Sequence, residues 1–132
     1  MEKDFQKIVR GLQHVGLPTN SIEETIAFYE MLGFEKVYET LNKQANERVA
    51  FLKQGSLVIE TYENKQAVLK EGAWDHIALD VTDIEEAFRL AKEKGLFILD
   101  QGIRSLPFWE NGVSFFTILG PNKEKVEFCQ RM

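Results

Sequence analysis

The sequence predicts an α+β fold of two pseudo-symmetric βαβββ modules whose strands form a curved mixed sheet in a single domain, residues 1–132. Three observations predict it. First, the chain repeats itself without a gap: His14-Val15-Gly16-Leu17 leading to Ser21-Ile22-Glu23-Glu24 matches His76-Ile77-Ala78-Leu79 leading to Asp83-Ile84-Glu85-Glu86. Second, each copy passes from a strand pattern into a capped helix that stops at a glycine, Gly33 or Gly95. Third, each copy closes on a strand carrying a carboxylate, Glu60 or Glu127. Module one covers residues 9–63 and module two residues 73–130, separated by the polar stretch 63–72.

Taken in order, apolar alternation places the first strand at 12–17 and its copy at 74–81. Ser21 and Asp83 then cap helices, and Glu24 and Glu86, three residues on, complete capping boxes. Ile22, Ile26 and Tyr29 recur at helical spacing in the first helix, and Ile84, Ala87, Phe88 and Ala91 in the second. Gly33 and Gly95 are expected to adopt the left-handed conformation that ends a helix. Three strands complete module one, at 34–41, 47–53 and 57–62. Three complete module two, at 96–100, 113–119 and 125–129. Gly55 and Gly120-Pro121-Asn122 mark the last hairpin turns.

Half of a 132-residue chain is marginal as an independent core, so the modules are expected to bury a face against each other or against a second copy. The net charge of −5, with no basic cluster, disfavours nucleic acid. No apolar run approaches a membrane span, and the N-terminal residues lack a signal-peptide core, so a cytoplasmic protein without a membrane role is expected. Cys129 is the single cysteine, which excludes an intrachain disulfide; its strand context predicts a buried, inert thiol.

Side chains alternate across a strand. Val15 and Leu17 therefore face the helix while His14 and Gly16 face away; Ile77, Leu79 and Val81 face the helix while His76 and Ala78 face away. Leu57 and Ile59 oppose Glu60, and Val126 and Phe128 oppose Glu127. All four polar residues fall on the face that the helix leaves open. That face becomes concave if the modules curl into a trough. The chain has only two histidines, and both occupy the same position of the repeat. A lone strand histidine or glutamate is usually a surface residue; this paired placement points to metal ligation by His14, Glu60, His76 and Glu127.

The sequence resembles the vicinal oxygen chelate superfamily, the glyoxalase, bleomycin-resistance and dioxygenase group. The likeness rests on the His14 and His76 strand openings, on Phe28-Tyr29 before Leu32-Gly33-Phe34, and on Gly120-Pro121-Asn122 before Val126-Glu127. It covers about residues 9–130. The superfamily's four metal-ligand positions fall on His14, Glu60, His76 and Glu127, and this His/Glu/His/Glu set is similar to glyoxalase I. The resemblance implies a lyase or isomerase related to lactoylglutathione lyase, with Glu127 as first candidate for the catalytic base and Glu60 as its symmetric partner. In bacterial glyoxalase I an arginine that binds glutathione follows the first ligand histidine by four residues. Pro18 stands there instead, while Asn64 matches another glutathione-contact position.

Two imidazoles and two carboxylates suit one divalent ion, with nickel, cobalt or zinc foremost and manganese or iron also compatible. The expected substrate is a small carbonyl compound or thiol adduct of hemithioacetal type, reacting by proton transfer through a metal-stabilised enediolate. A methylmalonyl-CoA-type epimerase shares this logic but often carries Gln where Glu60 stands. Fosfomycin-modifying transferases and Fe²⁺ oxygenases need only one carboxylate. The rival from another class is a metal-free module that sequesters a small aromatic drug, as bleomycin-resistance proteins do; it has no need of four ligands. A homodimer is expected, and the site forms either within one chain or across that dimer.

Among other residues, Arg48 and Arg104 are expected in surface ion pairs, with an anion-binding role as the alternative. Phe108 and Trp109 are expected in a core or an interface. Trp74 is expected either to wall the site or to pack in the core.

Overall fold

The computed structural model describes residues 5–8, 10–72 and 74–132. Residues 9 and 73, where the modules are expected to begin, lie outside them. The chain divides into two compact units, Met1–Ala67 and Val68–Met132. After a short helix, α1 (Phe5–Ile8), the first unit runs β1 (Val15–Pro18), α2 (Ile22–Met31), β2 (Glu35–Asn42), β3 (Glu47–Gln54) and β4 (Leu57–Tyr62). The second runs β5 (His76–Asp80), α3 (Ile84–Glu93), β6 (Phe97–Ile98), β7 (Arg104–Leu106), β8 (Val113–Leu119) and β9 (Lys125–Arg131).

The sheets have matching topology. The first has the order β1-β4-β3-β2, and the second β5-β9-β8-β6 with β7 also on β8. The first and last strands of each unit pair in parallel while the remaining pairs are antiparallel, giving a mixed sheet in each unit.

The sequence signals that start and stop the helices hold. The Ser21 Oγ accepts the Glu24 N–H at 3.4 Å, and Asp83 Oδ1 accepts the Glu86 N–H at 3.1 Å. At the other end Gly33 and Gly95 have φ of 100° and 68°. Each closes a Schellman motif: Phe34 N–H reaches Tyr29 O at 2.9 Å, and Leu96 N–H reaches Ala91 O at 3.0 Å.

The return arm of the capping box does not form. The Ser21 N–H donates instead to Thr19 Oγ1, and Glu86 pairs with Arg89. The free N–H at each helix start is satisfied from the unit's final strand or just beyond it. Glu63 Oε2 accepts the Ile22 N–H at 2.8 Å, and Gln130 Oε1 accepts the Ile84 N–H at 2.9 Å. Glu63 and Gln130 each lie three residues beyond their unit's candidate ligand, Glu60 or Glu127. Both helices are thereby tied to the strands that carry the candidate site.

Between helix and sheet lies each unit's core. Ile22, Tyr29, Ala50, Leu52, Ile59 and Thr61 fill the first; Ile84, Ala91, Phe116, Ile118 and Val126 fill the second. Each large apolar side chain buried here contributes about 1.5–3 kcal/mol. The expected apolar stripe of α2 shifts slightly: Thr25 is fully buried, bonded to Thr19 across 2.9 Å, while Ile26 is only half-buried.

The expected strand at 96–100 is shortened to Phe97–Ile98, and β7, on the same neighbour β8, is a strand the sequence reading did not anticipate. The cause of the shortening is Asp100: its Oδ2 takes the Thr117 N–H at 2.8 Å, so a side chain occupies a ladder position that backbone would otherwise fill.

Candidate metal centre

Strand pairing brings each histidine to its own glutamate. In β1–β4 the register sets Gly16 beside Glu60; in β5–β9 it sets Ala78 beside Glu127. Each histidine lies two residues before that small residue, hence on the same face. His14 falls just ahead of β1 rather than inside it, yet keeps this orientation. His14 Nε2 is 3.3 Å from Glu60 Oε1, and His76 Nε2 is 3.6 Å from Glu127 Oε2. Gly16 and Ala78 add almost no bulk beside the carboxylates.

The other ring nitrogen of each histidine is also engaged. His14 Nδ1 is 2.9 Å from Gln13 Oε1, and His76 Nδ1 is 2.8 Å from Asp75 Oδ2. Amide and carboxylate oxygens accept, so these contacts favour the Nδ1–H tautomer of each ring. In a neutral ring Nε2 then presents a lone pair to a carboxylate oxygen. Two acceptors at this range repel unless a cation or a proton lies between them. Two donors bound to one ion at about 2.1 Å stand roughly 3.0–3.4 Å apart at octahedral to tetrahedral angles. The observed separations sit at and slightly beyond that span, so nitrogen and oxygen donors fit a borderline divalent ion. Within either unit, among the described residues, no third His, Cys, Asp or Glu joins the pair to make a larger cluster.

The surroundings of the two pairs differ. In the first unit Phe51 stands beside Glu60 and Tyr38 beside Phe51 in the strand register. The His14 ring meets Phe51 edge-on at 5.8 Å, and Tyr62 approaches Gly16. This open face is aromatic. In the second unit Thr117 stands beside Glu127, and Cys129, Phe115 and Arg104 form the next row. Arg104 lies over the Phe115 ring and 3.5 Å from Asp100. Burial pushes the Cys129 thiol up, with Glu127 adding to the effect; the thiol is only half-buried, less than its strand context predicts.

Other residues singled out by the sequence fall as follows. Arg48 shares the face of Ala50 and Leu52, on the helix side, where it pairs with Glu23 and Glu39. Its surface ion pairing is as expected, and it is turned away from the open face. Trp74 precedes β5 and is 91% exposed, so it neither packs in the core nor stands on the strand. Phe108 and Trp109 lie outside the core, and Trp109 is covered by the Arg131 guanidinium at 3.7 Å. Asn64 Oδ1 accepts the Gln66 N–H at 2.9 Å, a turn-forming role. Gln13, Asp75, Glu63 and Gln130 were not anticipated; their signal was the repeat itself, since each pair occupies matching positions beside the ligands.

Comparisons with known proteins agree with this architecture. The profile of the Glyoxalase/Bleomycin resistance protein/Dioxygenase superfamily matches residues 11–128. The Bacillus subtilis protein YwbC, described as uncharacterized, is 31% identical over 129 residues, covering 94% of this chain and 100% of that one. A glyoxalase family protein from Enterococcus faecalis superposes with a TM-score of 0.76 at 24% identity, over 92% of this chain and 98% of the other. The Listeria monocytogenes fosfomycin resistance protein FosX superposes with a TM-score of 0.74 at 19% identity, over 94% and 95%. FosX has also been crystallised with Mn(II) and sulfate. None of the described helices is long and apolar enough to cross a membrane. By profile, repeat and sheet topology, the chain belongs to the glyoxalase/bleomycin resistance protein/dioxygenase superfamily and has its vicinal oxygen chelate fold.

Proposed function

We propose that this protein is a divalent-metal-dependent lyase or isomerase of glyoxalase I type, holding one ion with His14, Glu60, His76 and Glu127. The observation that carries this reading is the duplicated pair: an Nε2 and a carboxylate oxygen 3.3 and 3.6 Å apart, at matching repeat positions. The two units act as one domain in this reading, in a cytoplasmic homodimer, with the four donors gathered within one chain or between copies. Nickel, cobalt and zinc suit the donors, and manganese, held by the fold-mate FosX, is equally compatible.

When bound, the ion polarises a substrate carbonyl and offsets the negative charge that develops as a proton leaves the adjacent carbon. Glu127 takes that proton and returns it to the neighbouring carbon. It is the more sheltered carboxylate, its side chain 16% exposed against 29% for Glu60, so the proton it carries is better protected from exchange. Glu60 serves as its symmetric partner. Gly16 and Ala78 leave room above the carboxylates. Phe51 and Tyr38 offer an apolar wall to a carbonyl substrate or its thiol adduct. Pro18 supplies no positive charge where glyoxalase I enzymes bind glutathione, so a thiol other than glutathione is the favoured co-substrate.

The test is an assay of methylglyoxal hemithioacetals of several thiols with nickel-, zinc- and manganese-loaded protein. Turnover with at least one thiol, abolished by chelation, supports the reading. Stoichiometric metal with no proton exchange on any carbonyl substrate contradicts it. One observation favours a second reading, the sequestering module: the aromatic strip His14–Phe51–Tyr38 resembles a surface for flat ligands. Tight binding of aromatic compounds by metal-free protein would favour it.

A further inference from the structure

Each candidate ligand histidine is preceded by a residue that bonds its outer ring nitrogen, and the two residues differ in charge. Gln13 offers a neutral amide oxygen to His14 Nδ1 at 2.9 Å. Asp75 offers a carboxylate oxygen to His76 Nδ1 at 2.8 Å. Asp75 is itself braced: Lys125 Nζ lies 3.4 Å from Oδ1, the oxygen not facing the ring, and 4.0 Å from Glu71. In the ladder Lys125 is the partner of His76, so the brace comes from the strand that carries Glu127.

We propose that Asp75 is a positioning residue that holds His76 in the Nδ1–H tautomer, aims Nε2 at Glu127 and makes His76 the stronger donor of the two histidines. Gln13 performs the geometric part of this role for His14. An adjacent carboxylate fixes ring orientation and raises the electron density of an imidazole ligand, whereas an amide oxygen fixes orientation with less electronic effect. The second unit is thus the tighter half of the site. The consequence for metal affinity rests on the metal reading above; the consequence for the tautomer does not.

The experiment uses the full chain in wild-type, Asp75→Ala, Asp75→Asn and Gln13→Ala forms. Ring-nitrogen shifts of ¹⁵N-histidine-labelled, metal-free protein are recorded at about pH 8, above the ordinary histidine range. The same samples are titrated with Mn²⁺ alone. The wild type is expected to show His76 protonated at Nδ1. Asp75→Ala should shift it toward the mixture of tautomers seen in free imidazoles, with backbone amide shifts elsewhere unchanged. Asp75→Asn, which keeps an acceptor oxygen, should retain Nδ1–H. Mn²⁺ affinity should fall about 10- to 100-fold in Asp75→Ala, less in Asp75→Asn and less in Gln13→Ala. A His76 tautomer unchanged by Asp75→Ala overturns the inference whatever the metal does. A wild type that takes up no metal, yet loses its tautomer in Asp75→Ala, contradicts the metal reading and supports Asp75 in its positioning role.

Discussion

Gly16 is the ladder partner of Glu60, so the residue beside the first carboxylate has no side chain on the open face. A Cβ added at Gly16 would meet Tyr62 at 3.6 Å, an ordinary van der Waals contact. Gly16→Ala should therefore fold and bind metal much as the wild type does, whereas Gly16→Leu should fill the space between His14 and Glu60. We expect Gly16→Leu to lose metal affinity at least about tenfold, because ligand geometry tolerates little displacement, while its urea midpoint stays close to that of Gly16→Ala. Unchanged affinity in Gly16→Leu would show that this space is not used.

The two glutamates should separate by role. Glu127→Gln should retain the metal, since an amide oxygen can still bind, yet lose turnover by orders of magnitude because it cannot take a proton. Glu60→Gln should retain more activity than Glu127→Gln. Steady-state rates with metal content measured on the same samples check this, and full activity in Glu127→Gln refutes the assignment of the base.

Helix anchoring should be measurable as stability. Asp83→Ala removes an N-cap and should cost about 1 kcal/mol in urea denaturation. Gln130→Ala leaves the Ile84 N–H without its partner, a loss of about 1–3 kcal/mol. Because Gln130 joins α3 to the strand of Glu127, the two losses should not simply add. A double variant equal to the sum of the singles would show that cap and brace act independently.

The ion-pair cluster on the helix side of the first sheet should give a small, bounded pH dependence. The Arg48 hydrogen bond holds the Glu23 carboxyl below its ordinary range, and Lys36 does the same for Glu39. Groups depressed in the folded state stabilise it above their unfolded pKa, and that contribution is lost as pH falls through the folded value. Glu39 raises Lys36, whose contribution is present below the ordinary lysine pKa and lost as pH rises through the folded value. The cluster should therefore be intact between the carboxylate and lysine ranges, with a slight fall in the urea midpoint below about pH 4. Exposure keeps the effect small. Arg48→Met should flatten the acid limb without altering metal binding; a change in metal affinity would contradict the placement of Arg48 away from the open face.

Much of this was legible in the chain because repetition and period-two alternation are strong signals. His14, Glu60, His76 and Glu127 fall on the predicted face since alternation fixes sidedness even where strand ends shift, as at His14. Gly33 and Gly95 were legible because the left-handed residue that ends a helix is most often glycine. Tertiary hydrogen bonds were not. Asp100 entering the ladder at Thr117 ends at Ile98 a strand that propensity carries to residue 100. Glu63 and Gln130 bond the Ile22 and Ile84 N–H groups from residues more than forty positions away, which no local pattern reveals. Trp74 shows a simpler limit: alternation extends the strand back to residue 74, whereas β5 begins at His76.

Metal titration of the single histidine variants tests the central claim most directly. If one ion is held jointly by both units, calorimetry must give one Mn²⁺ or Ni²⁺ per chain for the wild type. His14→Ala and His76→Ala must each weaken that single event by tenfold or more, a loss of about 1.4 kcal/mol. Two ions per chain, or an affinity that one of the two substitutions leaves untouched, would contradict it.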